Sequence, residues 1–420
     1  MLTPTLLNRP VHPALCAHWT LLWALHLYFR WQAGDRVPSG SMLLLGAVVG
    51  LVHPYLAVMV LALLTALAIR VSAEQRGTSG LLRASWAPGA ALAGTTAVVQ
   101  AGWWVSGMFI VSGEAMTRPG LTLFSMNLLA PITPSGWSSW MPDIRTGAGG
   151  QPFEGFQYLG AGLLFLLVAA AARALTAPGR ERRAASCSWP LVAVLVVLAL
   201  YALSPRVTVA DHVVIDYSTP AMERLAVFGV TGRFFWPVTY ACIALASRAL
   251  LTSLPARVAV ALLAAVIGLQ VLDLRPAYAE RVRLTRDPAF HQWAEAPRSP
   301  IWAAALPHYQ HLVLVPPLQC GPAPVTFELP GYLAGLYRLT MNVGEVARAS
   351  ESARARYCAD LEQALAAGRV DDQSVYLVHP AHEARFRAAA PSLVCGSVDA
   401  IRVCVTSASY HAWRDAAGFH

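Results

Sequence analysis

Residues 114–160 read EAMTRPGLTLFSMNLLAPITPSGWSSWMPDIRTGAGGQPFEGFQYLG, and they sit where two long apolar runs, Pro88–Val111 and Phe156–Ala172, meet. The stretch is too rich in Pro, Gly, Ser and Trp to cross a bilayer, and it carries Asp143, Arg145 and Glu154 where a membrane protein meets water. It reads as the large extracytoplasmic loop of an α-helical polytopic membrane protein. Trp137, Trp140, Phe153, Phe156 and Tyr158 are amphipathic side chains of the kind that settle at the headgroup level. Gln157–Leu167 runs straight from them into hydrocarbon, so the loop is expected to lie on the bilayer surface.

Composition supports the same class. Charged residues are 13% and hydrophobic residues 56% of the chain, and the apolar residues fall in blocks of span length. All 31 basic residues are Arg, and the formal net charge is +8. Arg clustered at the cytoplasmic ends of spans sets topology and contacts anionic membrane lipid, so this charge does not call for nucleic acid as a partner.

From the N-terminus, Met1–Pro13 is polar and broken by prolines and lacks the pattern of a cleaved signal, so Ala14–Phe29 reads as a retained first span. Trp31–Ser41 is a short connection. Met42–Ile69 is interrupted at His53-Pro54, where a kink or a short re-entrant half-helix is expected. The run counts as one crossing, because two would fall below the roughly 17 to 25 residues a spanning helix needs. Arg70, Arg76 and Arg83 place the next connection in the cytoplasm, and Arg173, Arg180, Arg182 and Arg183 do the same after Phe156–Ala172. Trp189–Leu203, Phe234–Ala249 and Val258–Leu272 complete about seven spans, with the N-terminus inside and the C-terminus outside. The expected organisation is a transmembrane domain over 1–273, with outer loops 113–156 and 205–233, and an extracytoplasmic domain over 274–420.

Beyond Asp273 the composition is that of a soluble domain. His311–Val315 and Val375–Val378 read as buried strands, Ser350–Ala367 has helical spacing and Ile401–Val405 reads as a closing strand, which makes a small α/β domain. Cys320, Cys358, Cys395 and Cys404 form an even set on the side expected to be oxidising. Of the three possible pairings, Cys320 with Cys358 and Cys395 with Cys404 is favoured because the latter two flank a hairpin; four reduced, buried cysteines are the alternative.

The phrases His53-Pro54-Tyr55, Asn127-Leu128-Leu129-Ala130-Pro131, Gly155-Phe156-Gln157-Tyr158-Leu159-Gly160, Gly232-Arg233-Phe234-Phe235-Trp236-Pro237 and Asn342-Val343-Gly344-Glu345-Val346-Ala347-Arg348 carry a resemblance. The chain resembles an uncharacterised family of bacterial multi-spanning membrane proteins related to the GT-C glycosyltransferases. That resemblance covers nearly the whole chain. It implies a protein of the bacterial inner membrane that transfers a sugar from a polyprenyl-phosphate donor at the outer face. Family members usually have further spans before the point where this chain begins. In GT-C enzymes the catalytic acid typically sits in the first outer loop. Here that loop is Trp31–Ser41, so either Asp35 serves or the chain is an N-terminally truncated remnant.

Such chemistry needs a carboxylate to take the acceptor hydroxyl's proton, and an Arg or a divalent cation to hold the phosphate. The outer-face carboxylates are Asp143, Glu154, Asp211, Asp216 and Glu223, beside Asp35; Arg145 and Arg233 are the candidates for phosphate. Arg233 stands directly before Phe234, Phe235 and Trp236 at a membrane entrance, where a snorkelling anchor is the competing reading. Asp211-His212 with Asp216 is the weak candidate for a cation, while alternation with Val213, Val214 and Ile215 equally suits a strand. His379 and His382 lack a third ligand. Nucleotide-binding glycine loops and the usual hydrolase motifs are absent. A transporter or flippase of a lipid-linked glycan would place ionisable groups at mid-bilayer, and the spans offer only His18, His26 and His53. A non-catalytic assembly protein is the remaining alternative.

Overall fold

The computed structural model describes residues 3–9, 12–32, 35–79, 81–109, 121–146, 151–176, 188–219, 222, 227–286, 297–344 and 350–414, with main chain alone at 76–79, 81–85 and 284–285. Glu114, the Arg180–Arg183 cluster, Cys187, Glu223 and Glu345–Arg348 lie outside the described residues. The chain divides into two compact units, one reaching to Leu284 and one running from Thr285.

The first unit is helical. Its elements are α1 (Pro4–Leu7), α2 (Trp19–Arg30), α3 (Ser39–Val52), α4 (Pro54–Ser79), α5 (Leu81–Val105), α6 (Ala161–Thr176), α7 (Trp189–Leu203), α8 (Trp236–Ser253), α9 (Ala256–Asp273) and α10 (Arg275–Arg286). Prolines stand in the first turn of α1, α4, α7 and α8. There the missing N–H has no helical partner to lose and the fixed φ suits the first turn. A hairpin of β1 (Arg206–Val209) and β2 (His212–Asp216) follows α7.

His53-Pro54 does break the apolar run, but the break is a reversal rather than a kink within one crossing. His53 is extended, at φ −166° and ψ 131°. A Cβ on Gly46 would meet Thr95, and one on Gly50 would meet Val99, so α3 and α5 lie side by side in the same direction. Between them α4 must carry the chain the opposite way. The spacing Gly46-x-x-x-Gly50 explains the tight fit. Small residues let two backbones approach where lipid tails give no hydrophobic drive. At 14 residues α3 is about 21 Å long, short of a bilayer core of about 30 Å.

The extra reversal changes the parity of the bundle. At one end, the His18 ring lies tilted against Trp236 at 4.2 Å, Met126 N–H bonds the Ala202 carbonyl, and Ser139 N–H bonds the Asp273 carbonyl. At the other end, Arg70 donates to the Tyr28 carbonyl at 2.8 Å, Tyr28 Oη meets Ser188 Oγ, and Arg173 donates to the Ser253 carbonyl at 3.1 Å. Among the described residues eight helices, α2 to α9, therefore alternate between two ends. The N-terminal segment shares an end with the large loop, whereas the charge pattern read with a single crossing over Met42–Ile69 puts them on opposite sides.

About seven full spans are not supported. Among the described residues three helical segments are long and apolar enough to cross a membrane: Pro54–Gln75, Thr231–Ser253 and Ala256–Asp273. Ser39–Val52, Ala161–Thr176 and Trp189–Leu203 are apolar but shorter. Val258, Val260, Ile267 and Leu272 of α9 and Val192, Val196 and Leu200 of α7 are exposed, as side chains facing lipid would be. The first unit ends later than Asp273, because Tyr278 of α10 stays packed beside Phe156 and Tyr158, and Arg281 lies 5.6 Å over the Trp137 ring.

The second unit is an α/β domain. Its five-stranded sheet has the order β4-β3-β5-β7-β6, from β3 (His311–Val315), β4 (Thr340–Met341), β5 (Ser374–Val378), β6 (Leu393–Val398) and β7 (Ile401–Thr406). β4, β3 and β5 are parallel and joined through α12 (Glu328–Tyr337) and α13 (Glu351–Ala366), preceded by α11 (Ile301–Ala305). α14 (Pro380–Ala389) leads to the antiparallel β6–β7 hairpin. Alternation along β3 sends Leu312 and Leu314 to a core with Trp302, Leu333 and Trp413, and Val315 to a core with Phe386 on the other face. Cysteines pair as Cys320–Cys358 and Cys395–Cys404, the second pair facing each other across β6–β7.

Candidate functional site

Three distant segments converge at the end of the bundle that holds the large loop. Arg9 follows α1, Glu154 lies in the loop before α6, and Arg233 lies in the 3-10 turn that leads into α8. Arg9 Nη1 donates to Glu154 Oε2 at 2.5 Å. Arg233 grips the same carboxylate with two bonds, Nε to Oε2 at 3.1 Å and Nη2 to Oε1 at 2.6 Å. Exposure is 0% for Arg9, 5% for Glu154 and 6% for Arg233, so this is a buried cluster with one net positive charge.

Glycine makes the approach possible. A Cβ on Gly155 would fall on the Ser125 carbonyl oxygen, and one on Gly232 would come within 2.9 Å of Gly155 Cα. Neighbouring Glu154 and Arg233 can therefore meet. Gln157 Nε2 donates to the Gly232 carbonyl at 2.7 Å and locks the two phrases together. Tyr55, the first aromatic after the His53-Pro54 reversal, lies under the Arg233 guanidinium at 4.9 Å and accepts from Val230 N–H at 3.0 Å.

Burial by itself would raise the Glu154 carboxyl. The hydrogen bond and charge of Arg233, with the charge of Arg9, more than offset that and hold it below the ordinary carboxylate range. Both of its oxygens accept from guanidinium, so Glu154 is an ionised clamp and a poor proton acceptor. The same saturation leaves it unsuited to a metal. Among the described residues no group of three or more His, Cys, Asp or Glu could hold a metal ion.

Positive charge in the cluster is accompanied by unused hydrogen-bond capacity. Among the described residues Arg9 Nε, Trp236 Nε1 and His18 Nε2 are buried without a partner. They are neighbours: Arg9 lies 5.8 Å over the Trp236 ring, and the Trp236 ring lies 4.2 Å from that of His18. His18 Nδ1 is engaged by Tyr240 Oη at 2.7 Å. Two N–H donors beside an excess positive charge form an arrangement suited to an anion.

The other sequence candidates fall elsewhere. Asp35 closes an exposed turn, accepting from Gln32 N–H at 2.9 Å. It follows Trp31, whose ring lies 5.2 Å from Arg70, and Arg70 is about 22 Å along α4 from Tyr55. Asp35 thus occupies the opposite end of the bundle from Glu154 and Arg233, and the structure does not bring it together with them. Asp143 accepts from Gly136 N–H at 2.7 Å in an exposed turn, and Arg145 is exposed nearby in the same loop. Asp211 and His212 sit at the exposed tip of the β1–β2 hairpin, while Asp216 pairs with Arg206 at 3.6 Å at its base. The hairpin separates the three groups proposed for a cation. Of the sequence candidates, the structure brings together Glu154 and Arg233, whose guanidinium is buried against that carboxylate. Arg9 escaped the sequence reading; its one signal was a lone charge in the Pro-broken opening.

The family model described as Domain of unknown function (DUF6311) matches residues 1–275, and the model described as DUF6311 C-terminal domain matches residues 301–406. No curated protein and no solved structure matches the chain.

Proposed function

The chain belongs to the DUF6311 family, and from that premise we propose that it is a GT-C-like integral membrane glycosyltransferase that takes a polyprenyl-phosphate-linked sugar at the outer face of the bacterial inner membrane. The observation that carries this reading is the buried Arg9–Glu154–Arg233 cluster with the unused donors of Arg9 and Trp236. A lipid phosphate entering between the aromatic residues would accept from both donors and neutralise the excess charge, while Glu154 keeps the two guanidiniums in place. Transfer would break the bond between the sugar C1 and the phosphate oxygen and form one from C1 to the acceptor oxygen. The acceptor's proton passes to a carboxylate, and polyprenyl phosphate leaves. Glu154 is engaged, so the proton acceptor is proposed among Asp143, Asp211, Asp216 and Glu223. A flippase gains no comparable support, since the buried Arg9–Glu154–Arg233 cluster sits at one end of the bundle rather than at its middle.

Binding is tested on the protein in nanodiscs with a photoreactive polyprenyl phosphate and the matching polyprenol. Phosphate-dependent capture is expected. Trp236→Phe keeps the ion cluster but removes one donor, and should weaken capture about 10-fold or more, the value of one hydrogen bond to a charged group. Equal capture of the uncharged alcohol would remove the phosphate site.

Orientation follows from the same reading: the Glu154 end faces outward, with the Arg-rich connections inside. In a background lacking Cys16, Cys187 and Cys242, His12→Cys should react with an impermeant thiol reagent in intact cells. Asp35→Cys and Arg182→Cys should react only after lysis. Labelling of Asp35→Cys without lysis would overturn the orientation.

A further inference from the structure

The second unit contains a cavity of about 350 Å³ under the loop that follows β3, between α13 and α14. Its position follows from the strand order. From β3 the chain crosses to β4 on one side, and from β4 it returns past β3 to β5 on the other. Open α/β sheets bind ligands outside the carboxyl ends of the strands where the order reverses in this way. Val315 and Pro316, at the carboxyl end of β3, line the cavity, and the Val315 carbonyl accepts from His379 N–H at 2.9 Å just beyond β5. Cavity and topology are independent observations that point to the same place.

The walls define what would fit. Leu361, Leu365 and Phe386 are apolar, and the Cys320–Cys358 bridge ties the roofing loop to α13. Charge is confined to the rim, where Arg385 Nη1 donates to Glu362 Oε1 at 3.0 Å beside His382. Both partners of that ion pair are about two-thirds exposed, so opening it costs little. The guanidinium is then free to take a bidentate acid in exchange for Glu362. We infer that this cavity is a binding site for a small ligand with an apolar body and one terminal carboxylate or phosphate, the body lying against Leu365 and Phe386 and the acid on Arg385. The site is separate from the Arg9–Glu154–Arg233 cluster and does not rest on the function proposed for it.

The test is hydrogen-exchange mass spectrometry of the full chain in nanodiscs with 4-phenylbutyrate, phenyl phosphate and neutral 4-phenylbutanol. At least one of the two acids should slow exchange at 316–322, 358–366 and 382–386, and which does so identifies the acid. Arg385→Gln should weaken that protection at least tenfold. Leu365→Trp, which fills the cavity, should abolish it while peptide mapping still finds both disulfides. If Leu365→Trp disrupts the disulfides, Ala366→Leu replaces it as the filling variant. The inference is overturned if neither acid protects these segments, if the neutral alcohol protects them equally, or if protection survives in the filled variant.

Discussion

Glu154→Ala will leave two guanidiniums buried without their carboxylate, and the first unit is expected to lose about 3–5 kcal/mol, the usual consequence of breaking a buried ion pair by removing one partner. Arg9 and Arg233 together carry two positive charges with exposures of 0% and 6%. Thermal unfolding in detergent should show the loss, and Glu154→Gln should lie between the variant and the parent because its amide oxygen still accepts one bond. The parent should also carry an acid dependence that Glu154→Gln lacks. Its carboxyl is depressed in the folded state, so its contribution is complete above the unfolded value of about 4.3 and fades as pH falls through the lower folded value. Equal melting of parent, Ala and Gln variants across that range would show that the cluster does not hold the three segments together.

Asp273→Ala is expected to have the second largest effect, about 3–4 kcal/mol, less than the sum of its separate bonds because they share one carboxylate. Asp273 is fully buried at the end of α9. Ser138 Oγ donates to Oδ1, while Oδ2 accepts from Tyr158 Oη at 2.7 Å and from Ala161 N–H at 2.8 Å, at the start of α6. Burial, with Asp273 alongside, raises the Tyr158 phenol far above its ordinary value, so it stays a donor. One carboxylate therefore ties the large loop to the ends of two helices. Hydrogen exchange at 158–163 should accelerate in Asp273→Ala and recover in part in Asp273→Asn. Unchanged exchange there would place the stabilisation elsewhere.

Much of the architecture was legible because it depends on local composition and period. Blocks of apolar residues, the Pro-rich loop between them, the break at His53-Pro54 and the strands at His311–Val315 and Ile401–Thr406 follow from hydropathy, missing N–H donors and alternation. The cysteine pairs were legible as well, the second of them from the hairpin it spans. The site was half legible. Arg233 and Glu154 stood out as charges beside aromatic residues, yet nothing local says that they touch across 79 positions of sequence.

By itself the sequence determined a helical unit with segments apolar enough to cross a membrane, followed by a disulfide-bearing α/β unit, because both depend on which residues leave water. Tertiary structure alone decided three further points. The helices α3 and α4 reverse rather than continue, since Gly46 and Gly50 offer α5 a surface close enough for backbone contact. That reversal brings the N-terminal segment to the end holding the large loop and sends Asp35 to the other. Arg9, Glu154 and Arg233 then become one charged cluster. A buried charge must find its counter-charge wherever the fold brings one, and that choice is made in space, not along the chain.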